Sequence, residues 1–158
     1  MINYGTFTDN RDGNTYKTIT IDKQTWMAEN LRYEIPGKQI TDDDIWKNNS
    51  SFDGWCYYNN DKDSLGQIYG ILYQFEAAKN ACPTGWHLPA NKLRVLLDLL
   101  APSAASKLKE TGTEHWFSPN NYTSNSTGFT ALPGGIRMYN SSFTDMGQKG
   151  YWWGAYTT

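Results

Sequence analysis

The residues able to carry reactive chemistry are few: Cys56, Cys82, His87, His115 and scattered carboxylates in a chain of 158 residues. Two cysteines permit at most one intrachain disulfide, and sequence alone leaves Cys56 and Cys82 either paired or free. Neither has the neighbouring Cys or His that a tetrahedral zinc site needs. His87 stands between Trp86 and Leu88, which suits a hydrogen-bonded core or rim histidine better than a catalyst. His115 falls in a polar loop. The run Thr41-Asp42-Asp43-Asp44 reads as a solvated loop rather than a metal site. Asp9 to Asn14 has the composition of a calcium loop but lacks the acidic residue at its twelfth position. There is no Ser-His-Asp order, no histidine pair of metal-binding spacing and no phosphate-cradling glycine loop; Gly134-Gly135 reads as a tight turn. These observations predict a protein that is not an enzyme, with no catalytic residues, no metal and no cofactor.

The composition points instead to recognition. Aromatic residues make up 15% of the chain, with 7 Trp and 11 Tyr, while charged residues make up 19%, below the roughly one quarter of an ordinary domain. Trp and Tyr join a large apolar body to one polar tip, which suits both the core of a loop-rich fold and an exposed binding face. The candidate face is C-terminal: Tyr139, Asn140, Phe143, Tyr151, Trp152, Trp153 and Tyr156, with Ser141 and Ser142 between them. Aromatic rings anchor sugars or protein contacts, and small amides and hydroxyls add adaptable hydrogen bonds. If Trp152 and Trp153 lie in a strand, alternation turns at least one of them inwards. Asn120 to Asn125 is a second polar candidate, equally readable as a solvated loop.

A net charge of -2 without a basic run excludes a phosphate-neutralising nucleic-acid surface. No stretch approaches the ~20 apolar residues of a transmembrane helix. Met1-Ile2-Asn3-Tyr4 leads straight into polar sequence, so an exported form needs a targeting segment outside this chain. Abundant Asn, Ser, Thr, Tyr and Gly lean towards an extracytoplasmic setting.

The elements that must position these residues follow from periodicity. The length suits one domain over 1–158. Asp12-Gly13 between Phe7 and the alternating run 16–21 predicts an N-terminal hairpin. Trp26, Met27 and Leu31 read as core, and Glu29 and Asn30 as polar tethers for loop backbone. Residues 34–53 read as long irregular surface. A helix is expected over 71–81, burying Leu72, Phe75 and Ala78. A second carries Leu93, Leu96, Leu97 and Leu100 at i, i+3, i+4 and i+7, with Asn91 as N-cap and Pro102 at its end. A short third helix is expected over 103–110. Beyond Gly112, strands are expected over 128–132, 136–139, from Phe143 and over 150–156. Hairpin, helices and then strands argue an α+β fold with an antiparallel sheet.

Ordered signatures carry a family resemblance. They are Asp12-Gly13-Asn14 with Tyr16, Gln24 to Leu31, Tyr69 to Tyr73, Ala81 to Pro89, Gly128 to Arg137 and Gly150 to Trp153. Together they resemble the FISUMP domain, the Fibrobacter succinogenes major paralogous domain, which is similar to the C-type-lectin-like superfamily and its formylglycine-generating branch. The resemblance implies two main helices flanking a small twisted antiparallel sheet, with long loops. It also implies export, commonly within surface lipoproteins of Bacteroidetes, and transfers no substrate or catalytic residue.

Several departures stand out. Ala90-Asn91-Lys92-Leu93 replaces the family's Ser/Thr and Glu-Trp after Leu-Pro, and Ser64-Leu65-Gly66 stands where a cysteine is common. The chain stops at Thr158, where relatives continue through further strands. The resemblance therefore implies that Cys82 lacks its usual partner, leaving it free or bonded to Cys56, and that an unpaired sheet edge is open to self-association. Copper-binding cysteines and the calcium-chelating motifs of lectins are absent. The expected function is extracellular recognition, at the cell surface, of a glycan or protein ligand through the C-terminal aromatics. The alternatives are a structural module of a surface or fimbrial assembly, a retroelement-diversified hypervariable receptor and, last, a degenerate relative of the formylglycine-generating oxidases.

Overall fold

A computed structural model describes residues 2–155. Its first unit is the expected hairpin, extended by one strand: β1 (Gly5–Thr8), β2 (Thr15–Ile21) and β3 (Gln24–Met27) form an antiparallel sheet in that order. Phe7 faces Tyr16 and Thr18 faces Met27 in the register. Strand β2 buries Tyr16 and Thr18 at its start but Ile19 and Ile21 at its end. Because alternate residues face opposite ways, the strand packs one face early and the other late. Asp9 organises the connecting turn: it is buried, accepts from the Arg11 backbone N–H at 3.0 Å and pairs with the Arg11 guanidinium at 2.6 Å. The carboxylate that suggested a calcium loop is thus engaged by a neighbouring arginine.

The acidic run is more ordered than a solvated loop. Asp42 caps α1 (Asp43–Asn48), accepting from the backbone N–H groups of Asp44 and Ile45 at 2.9 Å. Two orphan donors of the first turn are thereby satisfied. Trp46 is buried beneath this helix, and its indole N–H donates to the Met138 carbonyl at 3.0 Å.

The expected helix over 71–81 begins only at Phe75. Leu72–Tyr73 forms β5 and pairs with β4 (Trp55–Cys56), while Ile71 joins Trp55 and Tyr57 in a buried cluster. A short 3-10 turn (Tyr58–Asn60) and α2 (Leu65–Tyr69) lie between them, and Gly70 at φ +75° ends α2. Helix α3 (Phe75–Ala81) buries Ala77, Ala78 and Ala81. Leu72 and Phe75 are not fully buried.

Helix α4 (Asn91–Leu100) follows the leucine stripe. Leu96 and Leu100 pack with Ile19, Ile21 and Ala28, whereas Leu97 is exposed. Asn91 is the first helical residue, and Ala90 occupies the cap position expected for it. Helix α5 (Ala104–Leu108) is the short third helix.

The C-terminal third departs further from expectation. Residues 128–132 form no strand, only a single parallel bridge between Lys109 and Ala131. Gly134 and Gly135 lie inside β6 (Gly134–Arg137) rather than in a turn, and β6 pairs with β7 (Phe143–Met146). The reversal comes at 138–142. Residues 150–155 belong to no strand or helix, and Tyr156 lies outside the described residues. The architecture is therefore mixed α and β, with one three-stranded and two two-stranded antiparallel sheets among the described residues. No described helix is long and apolar enough to cross a membrane.

Candidate functional site

The candidate face is assembled from the β6–β7 hairpin and the segment that follows it. Arg137 fastens the hairpin to the fold. Its buried guanidinium donates to the carbonyls of Ile40 at 2.7 Å and Ser141 at 3.3 Å and pairs with Asp43 at 2.7 Å. It also lies 4.5 Å from the Trp46 ring centre and 4.9 Å from that of Phe143. Phe143 packs at a tilt against Tyr58, with ring centres 5.1 Å apart, so it serves packing. Ser141 is buried and donates to the Asp43 carbonyl at 2.6 Å. Tyr139 at the reversal is 83% exposed. Asn140 uses its side-chain oxygen within the turn, accepting from the Ser142 hydroxyl at 2.7 Å and its backbone N–H at 3.1 Å.

Residues 150–155 form a strap across β5, α3 and the segment before α4. The Tyr151 hydroxyl donates to Asp145, which also pairs with Lys149 at 3.3 Å. These two partners, Tyr151 first, hold the Asp145 carboxyl below its usual range. The Trp152 indole N–H donates to Asn30 Oδ1 at 3.1 Å, and the Asn30 amide in turn donates to the Tyr69 carbonyl at 2.9 Å. The Trp153 indole N–H donates to the Tyr73 carbonyl at 2.7 Å. Their rings meet Phe129 at 6.4 Å and Phe75 at 5.4 Å, both edge-on. The Ala155 backbone N–H closes the strap onto the Pro89 carbonyl at 2.9 Å.

Alternation does not operate here because the strap is not a strand. Both tryptophans remain 47% exposed, and neither turns inwards. Each therefore has its polar tip tethered and part of its ring open to solvent. Among the described residues, no hydrogen bond or ring contact links the Tyr139 and Asn140 turn to the Trp152 and Trp153 strap. The sequence-predicted set is thus two patches. Asn30, expected to tether backbone, also orients Trp152. Phe75 and Phe129 back the indoles, and their role has no signature in local sequence.

The reactive groups are dispersed. Cys56 and Cys82 are free thiols, so the disulfide left open by the sequence is not formed. Cys56 is buried in β4, and burial pushes its thiol up to about 11 against the opposing influence of Arg137. Cys82 follows α3, its Sγ donating to the Ala78 carbonyl at 3.5 Å, and burial raises it as well. Both are neutral thiols at pH 7, whereas the nucleophile and metal ligand is the thiolate. His87 is exposed rather than part of the core. Among the described residues, one group has cation-ligating geometry: Glu110, Glu114 and His115.

In comparisons with known proteins, the family model described as the Fibrobacter succinogenes major domain matches residues 19–158. No curated protein and no solved structure matches the chain.

Proposed function

Because the chain belongs to the Fibrobacter succinogenes major domain family, we propose that it is a non-enzymatic extracellular recognition module. On this reading it has a lectin-like scaffold and takes a glycan or protein ligand at the Trp152 and Trp153 strap. The observation that carries the proposal is the state of the two indoles: each N–H is bonded to protein while the residue stays 47% exposed. A large aromatic surface held in one orientation has little conformational entropy left to lose on binding, and such rings are the usual anchors of recognition sites. Exposed Tyr139 with Asn140 offers a second, separate contact, while Phe143 supports the hairpin from within.

Glycan and surface-protein arrays probed with native protein and with Trp153→Ala test this reading. Signals that appear with the native chain and vanish with the variant support it. Signals unchanged by the substitution, or none on either array, contradict it.

A further inference from the structure

The geometry points to a divalent transition-metal site in the loop after α5, formed by Glu110, Glu114 and His115. One ligand atom from each residue lies within 4.8 Å of the others, and a small side-chain adjustment would bring all three within the ~4.2 Å that separates opposite ligands of one such ion. His115 Nδ1 stands 2.9 and 3.0 Å from the two Glu110 carboxylate oxygens. Two ligand atoms each about 2.1 Å from a tetrahedral zinc ion are about 3.4 Å apart, a few tenths of an ångström beyond this separation. In the structure this is a hydrogen-bonded pair, and an ion bound between the two side chains would take the place of the Nδ1 proton. The exposed Glu114 completes the set.

The loop holds Glu110 and His115 in place before any ion arrives. The Glu110 backbone N–H donates to the Ala131 carbonyl at 3.2 Å, and the buried Trp116 donates its indole N–H to the same carbonyl at 3.1 Å. The Tyr69 ring packs edge-on against His115 at 5.8 Å. The side chains of His115 and Glu110 are only 20% and 16% exposed.

Two further observations favour a cation. The Asn120 amide donates to the carbonyls of Glu110 at 3.0 Å and Gly112 at 2.7 Å, yet its Oδ1 is buried without a partner in this same loop. A buried acceptor without a donor is costly unless water or a cation satisfies it. Among the described residues, Glu114 has no salt bridge, and the salt-bridge partner of Glu110 is His115, within the set itself. The adjacent Lys109 ammonium lies over the Trp116 ring at 3.7 Å instead. One imidazole with two carboxylates suits first-row transition metals, whereas calcium takes an all-oxygen set. Water would fill the remaining positions. This site does not depend on the recognition face.

The test is calorimetric titration of metal-stripped, untagged protein with Zn²⁺, Mn²⁺ and Ca²⁺. One Zn²⁺ per chain is expected, bound at least tenfold more tightly than Ca²⁺. Glu110→Gln and His115→Gln are expected to weaken Zn²⁺ binding tenfold or more. Glu114→Gln changes only an exposed side chain, so its fold is preserved, and it too weakens binding. His87→Gln and Cys82→Ser leave the affinity unchanged. The proposal is overturned by absent Zn²⁺ uptake, by uptake that survives His115→Gln or Glu114→Gln, by uptake lost in Cys82→Ser, or by a preference for Ca²⁺.

Discussion

The guanidinium of Arg137, whose side chain has 0% exposure, lies 2.7 Å from the carboxylate of Asp43, whose side chain is 67% exposed. A buried charge is thus neutralised by a carboxylate at the surface, 94 residues away in sequence. The same arginine collects the carbonyls of Ile40, Thr41 and Ser141. It ties the start of α1 to the hairpin that carries Tyr139.

Removing either partner has unequal consequences. Arg137→Ala removes the donors of three carbonyls, that of Ser141 buried, and leaves Asp43 without its partner; it is expected to cost about 3 kcal/mol. Asp43→Asn leaves the arginine its carbonyls and is expected to cost about 1 kcal/mol, since Asp43 is largely solvated. Urea unfolding of the two variants measures the difference. Equal losses would show that the carbonyl set contributes little.

Gly135 sits inside β6 at φ +64°, and an added Cβ would stand 2.5 Å from the Thr144 carbonyl oxygen. Both conformation and space therefore exclude a side chain. Gly135→Ala is expected to lower stability by about 2–4 kcal/mol, read by thermal or urea unfolding. A neutral result would mean that this strand pairing is wrong.

The two thiols should differ in reactivity. Cys82 is partly accessible, whereas Cys56 has no exposure and is pushed up to about 11 by burial. With a thiol reagent at pH 8, the native protein should label once, at Cys82, and label Cys56 only on unfolding. Cys82→Ser should abolish native labelling. Rapid modification of Cys56 would contradict the packing around β4.

Asp9 predicts an acid dependence. Hydrogen bonds from Arg11 hold its folded pKa below the ordinary value of 3.8, although burial opposes them. A depressed folded pKa means that the contribution is complete above the unfolded value and is lost as pH falls through the folded one. Asp9→Asn should therefore be destabilising at pH 7, by about 1–3 kcal/mol. The gap to the native protein should narrow below pH ~3.8. A gap that stays constant as pH falls would remove the ion pair as its cause.

What the sequence disclosed was local. The hairpin announces itself through Asp12-Gly13, and α4 through four leucines at helical spacing. Both signals lie within a dozen residues and need no distant partner. Leu72 and Tyr73 read as helix because a short apolar run has no unique period. Their assignment is decided by Trp55 and Cys56, which supply the pairing edge. The glycines of β6 read as a turn because positive φ is commonest there, whereas here it lets the strand pass close to Thr144. Trp152 and Trp153 were legible as candidates from residue type alone. Their orientation was not, because it depends on Asn30 and Tyr73, which are remote in sequence. His115 gave no signal because its carboxylate neighbours are common in any polar loop.

The most direct test of the recognition account is calorimetric titration of the strongest array ligand into native protein and into the Trp152→Ala and Trp153→Ala variants, with unfolding temperatures recorded beside each. The account predicts stoichiometric binding without turnover, weakened tenfold or more in each variant while the fold persists. Undiminished affinity in both variants, or chemical conversion of the ligand, would contradict it.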